Sequence, residues 1–189
     1  VKYGAETAAV GKWVKGPGMK LFSAIHSALG PLNIIAEDLG FLTPEVKTLI
    51  EAAGYPGMKV LQFAFNPDNE SEYLPHNAIQ NSVMYTGTHD NDTISSWLDS
   101  VPKREFMQAV NYLKLNYDEG LNWGIIRGAW SSTANLAIAP MQDFLNLGSE
   151  ARINVPSTIG NNWTWRLAEA ELTPALAARI RELTVLYGR

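Results

Sequence analysis

The stretch "SVMYTGTHDND", Ser82 to Asp92, decides how the rest of the chain is read. Its first half is continuously apolar, and its second half places His89, Asp90 and Asp92 close together. An unbroken apolar run fits a strand of a parallel sheet covered on both faces, whereas strict alternation would mark a sheet with one wet face. Polar groups that follow such a strand directly lie at its C-terminal end, where α/β folds gather ligands and catalytic groups.

The neighbouring sequence repeats this grammar. "LNIIAEDLG", Leu32 to Gly40, is a second apolar run, closed by Glu37 and Asp38, and is expected to be a strand. A helix follows, with Thr43 as N-cap, Pro44 at the first helical position, Val46, Leu49, Ile50 and Ala53 on one face, and Gly54 as the stop. "MKVLQFAF" from Met58 and "LAIAPMQDFL" from Leu136 supply two further apolar runs. "PKREFMQAVNYLKLNY" and "NWGIIRGAWSS" between them read as helices. Strand-end groups recur 29 positions apart from Glu37 to Asn66 and 24 from Asn66 to Asp90. A (β/α)8 barrel of about 250 residues has roughly 31 per unit. The reading is therefore α/β: four strands of a TIM-type barrel, with helical insertions before Leu136 and a closing helix over "TPALAARIRELTVLYGR". Residues 1–189 are expected to form one partial barrel domain, about four βα units plus that last helix. The opening at Val1, with "VGKWVKGPGMK" as loop leading into a helix, is expected of a segment cut from something longer.

Composition narrows the function classes. With 46% hydrophobic and 18% charged residues the chain is of globular type, and a net charge of −4 without a Lys/Arg run leaves no electrostatic footprint for nucleic acid. The absence of cysteine removes disulfides, thiolate metal sites and cysteine nucleophiles, and fits a reducing compartment, so a cytoplasmic location is expected. No apolar run is long enough to span a bilayer, and no membrane partner is expected.

Paired carboxylates across a barrel mouth suit glycosidic chemistry, in which one group is a protonated acid and another stays ionised beside an oxocarbenium-like centre. A carboxylate after a strand is also commonly an N-cap or loop acceptor. Asp92, just before "TISSWL", is read as that helix's cap, and Asp38 fits either part. A metal-dependent hydrolase built on "HDND", Glu37 and Asp38 is the rival enzyme reading. It is disfavoured because the only other histidines, His26 and His76, stand in no ligand spacing. No metal or cofactor is expected.

The motifs "IIAEDLGFLTPEV", "YPGMKVLQFAF", "YLPHN", "YTGTHDNDT" and "LGSEARIN" resemble consecutive landmarks of the amylomaltases, the 4-alpha-glucanotransferases or disproportionating enzymes of glycoside hydrolase family 77, from about Glu6 to the C-terminus. The resemblance implies Glu37 as general acid/base and Asp90 as the carboxylate that stabilises the transition state and grips the donor sugar. It places His89, Asp38, Arg152 and Asn154 along the sugar path. Asn66 stands where family members often carry Asp, and keeps hydrogen bonding without the charge. The family's nucleophile lies in an Arg-x-Asp motif, and none occurs between Val1 and Arg189, so the first half of the barrel is expected to be missing. Maltooligosaccharides and α-1,4-glucans are the implied partners, with self-association through open barrel edges. The missing nucleophile also keeps open a non-catalytic glucan-binding or assembly fragment. Aromatic surfaces that stack on sugars would favour transfer over hydrolysis, and Tyr73, Trp97, Trp123, Trp130, Trp163 and Trp165 are the candidates; packing in the core is the other use of each.

Overall fold

The computed structural model describes residues 1–40 and 42–189, and the chain divides into two compact units, Val1–Tyr55 and Pro56–Arg189.

The first unit is built from local signals. A short 3-10 turn over Ala8–Val10 is capped by Thr7, whose hydroxyl accepts from the Ala9 N–H at 3.3 Å. Two helices follow, α1 (Met19–Leu29) and α2 (Pro44–Ala53). α2 begins and ends where its sequence dictates: Pro44 needs no hydrogen-bond partner in the first turn, and Gly54 takes a left-handed φ of 70° while its N–H returns to the Ile50 carbonyl. The helices touch, and Phe22 meets Tyr55 edge-on with ring centroids 5.3 Å apart. None of the unit's described residues is buried.

The strand expected over Leu32–Ala36 is not found: this segment joins no ladder, and the described residues of its unit contain no strand. A strand exists through its partner's hydrogen bonds, and an apolar run without one keeps only its sequence pattern.

The second unit holds the other three expected strands, β1 (Gly57–Val60), β2 (Ser82–Tyr85) and β3 (Leu136–Ile138), in one parallel sheet of order β1-β2-β3. Gly57 pairs with Ser82 and Val60 with Tyr85; Val83 pairs with Leu136 and Tyr85 with Ile138. Val60, Val83 and Met84 are fully buried, as the unbroken apolar runs require. β3 is more open, with Leu136 and Ile138 exposed.

Three helices lie between β2 and β3, α3 (Ile94–Ser100), α4 (Lys103–Leu113) and α5 (Leu121–Trp130), and the short α6 (Met141–Phe144) follows β3. α5 is apolar nearly all round, with Trp123, Ile125, Ile126, Ala129 and Trp130 buried, so it runs through the core rather than over it. Its glycines are sites of close approach. A Cβ on Gly124 would stand 2.5 Å from Leu115, and one on Gly128 would stand 2.7 Å from Leu113. The last helix, α7 (Pro174–Leu186), lays Leu176, Ile180, Leu183 and the following Tyr187 against this core, the stripe its spacing predicts. Arg189 then donates to the carbonyls of Trp130, Ser132 and Ala134, closing the end of α5. Among the described residues no helix is long and apolar enough to cross a membrane.

Candidate functional site

The loop after β2 is built as a clamp. The buried Thr86 continues the ladder, its N–H bonding the Ile138 carbonyl at 3.2 Å. Gly87 lets the Gln62 amide come close, since a Cβ there would lie 2.6 Å from its nitrogen and would push that side chain aside. That amide in turn donates to the Asp92 carbonyl at 2.8 Å, tying the loop to the end of β1. Asn91 closes the turn, its Oδ1 accepting from both the N–H and the hydroxyl of Thr88 at 2.9 and 2.8 Å. His89 and Asp90 are thereby presented at the crest of a short, tightly bonded loop.

Asp143 fixes both ends of this loop from below. It is 1% exposed, accepts from the Thr86 hydroxyl at 2.6 Å, and accepts from the Ile94 N–H at the start of α3 at 2.8 Å. Burial pushes its pKa up to about 6, outweighing the two bonds that favour the ionised form. Sequence reading missed this residue, although a lone carboxylate inside the apolar stretch "PMQDFL" is a signal, because a buried charge needs dedicated partners.

The segment after Ala151 meets the loop. Asn154 donates from Nδ2 to Asp90 Oδ1 at 2.6 Å, and its N–H bonds the His89 carbonyl at 3.0 Å. Arg152 directs its guanidinium to the Asp90 carbonyl at 2.6 Å and to the Asn154 carbonyl at 2.9 Å, with Asp92 at 3.7 Å. It acts as a strut between two main-chain segments and does not bond the Asp90 carboxylate. His89 Nε2 lies 3.3 Å from Asp90 Oδ1, and both side chains are about half exposed, at 52% and 46%. Asp90 Oδ2 receives no hydrogen bond from the described residues. The site thus offers one anchored and one open carboxylate oxygen beside an accessible imidazole.

Four of the expected site residues, His89, Asp90, Arg152 and Asn154, therefore form one bonded group. Asp92 belongs to it in a way the sequence reading did not foresee. The cap of α3 is Thr93, which accepts from the Ser96 N–H at 3.3 Å, while Asp92 accepts from the Thr93 N–H and, at 2.6 Å, from the Ser149 hydroxyl. Threonine one residue later has the same capping chemistry, which frees the aspartate to reach across to the Ser149 segment. Asn66 stands exposed after β1 and turns Oδ1 into its own loop, accepting from the Asp68 N–H at 3.0 Å. Glu37 and Asp38 belong to the first unit, where Glu37 is exposed and makes no hydrogen bond or ion pair with a described residue, and Asp38 is half-buried. Among the described residues no three histidine, aspartate or glutamate side chains are grouped to hold a metal ion.

The sequence model of glycoside hydrolase family 77, 4-alpha-glucanotransferase, matches residues 1–173. The chain belongs to this family. A 4-alpha-glucanotransferase of Clostridium butyricum is 55% identical over the whole chain, which spans 39% of that relative's length. The chloroplastic/amyloplastic 4-alpha-glucanotransferase of Solanum tuberosum is 48% identical over 96% of the chain and 32% of its own length. Among solved structures, the amylomaltase of Streptococcus agalactiae in complex with acarbose superposes with a TM-score of 0.88 at 35% identity, covering 94% of this chain and 36% of that one. The chain thus spans about two fifths or less of the family members it matches, and the bonded group at Asp90 lies inside the matched region.

Proposed function

We propose that this chain is the later part of the catalytic (β/α)8 barrel of a 4-alpha-glucanotransferase, with residues 1–189 as one partial barrel domain. Joined to the remaining length of its relatives, it transfers α-1,4-glucan segments between maltooligosaccharides. The observation that carries the reading is the open oxygen of Asp90, held beside His89 by Asn154 and Arg152 in a chain of this family.

The proposed chemistry is a retaining double displacement. Glu37 protonates the leaving glycosidic oxygen and later takes the proton of the acceptor hydroxyl. The Asp90 carboxylate, which Arg152 does not bond, faces the positive centre and stabilises it as it develops. Oδ2 accepts donor-sugar hydroxyls, and His89 hydrogen-bonds to the same ring. Asn154 contributes through Asp90 and Arg152 through the loop. Asp38 lines the donor side, and Asn66, with Oδ1 engaged, donates from its amide nitrogen.

The covalent step requires an aspartate in an Arg-x-Asp motif, which Val1–Arg189 does not contain. The experiment is disproportionation of maltotriose, by the chain alone and by the chain joined to the remaining length. Longer maltooligosaccharides and glucose are expected from the joined protein only. Activity in the chain alone would overturn the division of labour. Glucan binding without turnover in both would favour the non-catalytic reading.

A further inference from the structure

Of the six tryptophans, the structure sets one apart from core packing and beside the candidate site. Trp123 and Trp130 are buried at 7% and 8% exposure, and Trp97 packs against the same core. Trp163 is 57% exposed, and its ring lies against the His89 imidazole, with centroids 4.9 Å apart and planes tilted by 39°.

Its backbone is firmly held. The Trp163 N–H donates to the Ile153 carbonyl at 2.7 Å, between Arg152 and Asn154, and Asn162 accepts from the Val155 N–H at 3.0 Å. Arg166 donates to the Trp163 carbonyl at 2.9 Å. Held this way, Trp163 takes a φ of 62°, a left-handed conformation that suits glycine or asparagine and is unfavourable for a bulky aromatic side chain. Neither burial within this chain nor backbone preference accounts for tryptophan at this position. Its ring chemistry does: an indole offers a flat, weakly hydrated face to the C–H face of a pyranose, while the adjacent His89 and Asp90 offer hydrogen bonds to its hydroxyls.

We infer that Trp163 is the stacking platform for one glucosyl ring of the α-glucan held at His89 and Asp90, an inference that rests on the function proposed above. The indole orients the sugar, and the open Asp90 oxygen takes its hydroxyls. A ring placed there excludes water from one side of the site.

The test uses maltohexaose and the chain joined to its remaining length, with binding measured by calorimetry. Trp163→Asn removes the ring while keeping the left-handed backbone comfortable, and is expected to weaken binding roughly tenfold or more. Trp163→Phe keeps a stacking face and is expected to stay within roughly threefold. A reading independent of folding comes from NMR: the indole signal of Trp163, assigned by its loss in the Trp163→Phe spectrum, should shift on adding maltohexaose. If the parent binds maltohexaose but the indole signal stays put, or Trp163→Asn binds as tightly, the platform is refuted while the proposed function stands. If the parent does not bind maltohexaose at all, the proposed function fails and the platform with it.

Discussion

Val1–Tyr55 contains two well-signalled helices and no buried residue among those described, whereas Pro56–Arg189 closes around Leu61, Phe65, Met84, Ile94, Ile125 and Ile126. The sequence patterns of the two units look alike: an apolar run ending in polar groups, then a capped amphipathic helix. What separates them is long-range pairing. In the second unit β1, β2 and β3 hydrogen-bond to one another and α5 is packed from every side, so pattern becomes burial. In the first, the caps and the glycine stop suffice to write α2, but the run at Leu32–Ala36 has no described ladder to join. Helix hydrogen bonds are internal to the segment and strand hydrogen bonds are not, and each unit behaves accordingly.

The sharpest way to break this contrast is native-state hydrogen exchange. Amides of β2 and α5 are expected to exchange only through global opening, and those of α1 and α2 through local fraying, a difference of roughly a thousandfold or more in protection. Equal protection in the two units would erase it. Mutation should show the same ordering. Ile126→Ala, at a site with no exposure, is expected to cost about 2–5 kcal/mol by urea unfolding, and Leu49→Ala in α2 less than about 1 kcal/mol.

One carboxylate in each unit should also contribute to acid response with opposite sign. The Asp143 pKa is raised from 3.8 to about 6, so the folded form binds more protons than the unfolded one in that window. Stability of the second unit from this group is full below the window and falls as pH rises through about 6. Asp143→Asn, whose amide can serve both neighbours, should flatten the slope of the unfolding midpoint between pH 4 and 6, values bracketed by those two pKa values. Glu45 has its pKa lowered by its own N–H and then by the Thr43 hydroxyl, so its contribution to α2 is present at neutral pH and lost on acidification. Circular dichroism of α2 as an isolated signal should follow that direction.

The smallest test compares two identical dipeptides. Thr173-Pro174 and Thr43-Pro44 each open a helix, but only Thr173 accepts a capping bond, from the Leu176 N–H at 3.1 Å. Thr173→Ala is expected to cost about 1 kcal/mol and Thr43→Ala a few tenths, roughly the span between a made and an unmade cap. Equal losses would mean that the dipeptide, and not the bond, sets the helix start.

This comparison also explains what could be read from residues alone. Helix limits at Pro44, Gly54 and Pro174 were legible because caps act within a few residues. β1 and β2 were legible because unbroken apolar runs fit a buried parallel ladder. His89 and Asp90 announced themselves as polar groups on an apolar strand's end, and Arg152 and Asn154 came from the family resemblance. Asp143 and Ser149 could not be found this way, and Trp163 could not be told from the other aromatic candidates, since each acts on a segment distant in sequence: Asp143 on Thr86, Ser149 on Asp92, and Trp163 on His89. Side chains that brace a loop leave no local period to detect.

Glu37 is proposed for proton transfer and Asp90 for charge stabilisation, and the leaving group separates these roles most directly. In the joined protein, Glu37→Gln is expected to fail on maltooligosaccharides yet consume an α-maltosyl fluoride, whose leaving group needs little protonation. Asp90→Asn is expected to be impaired with both donors, because positive charge develops on the sugar whatever departs. Rescue of Asp90→Asn by the fluoride, with Glu37→Gln inactive on it, would contradict the assignment.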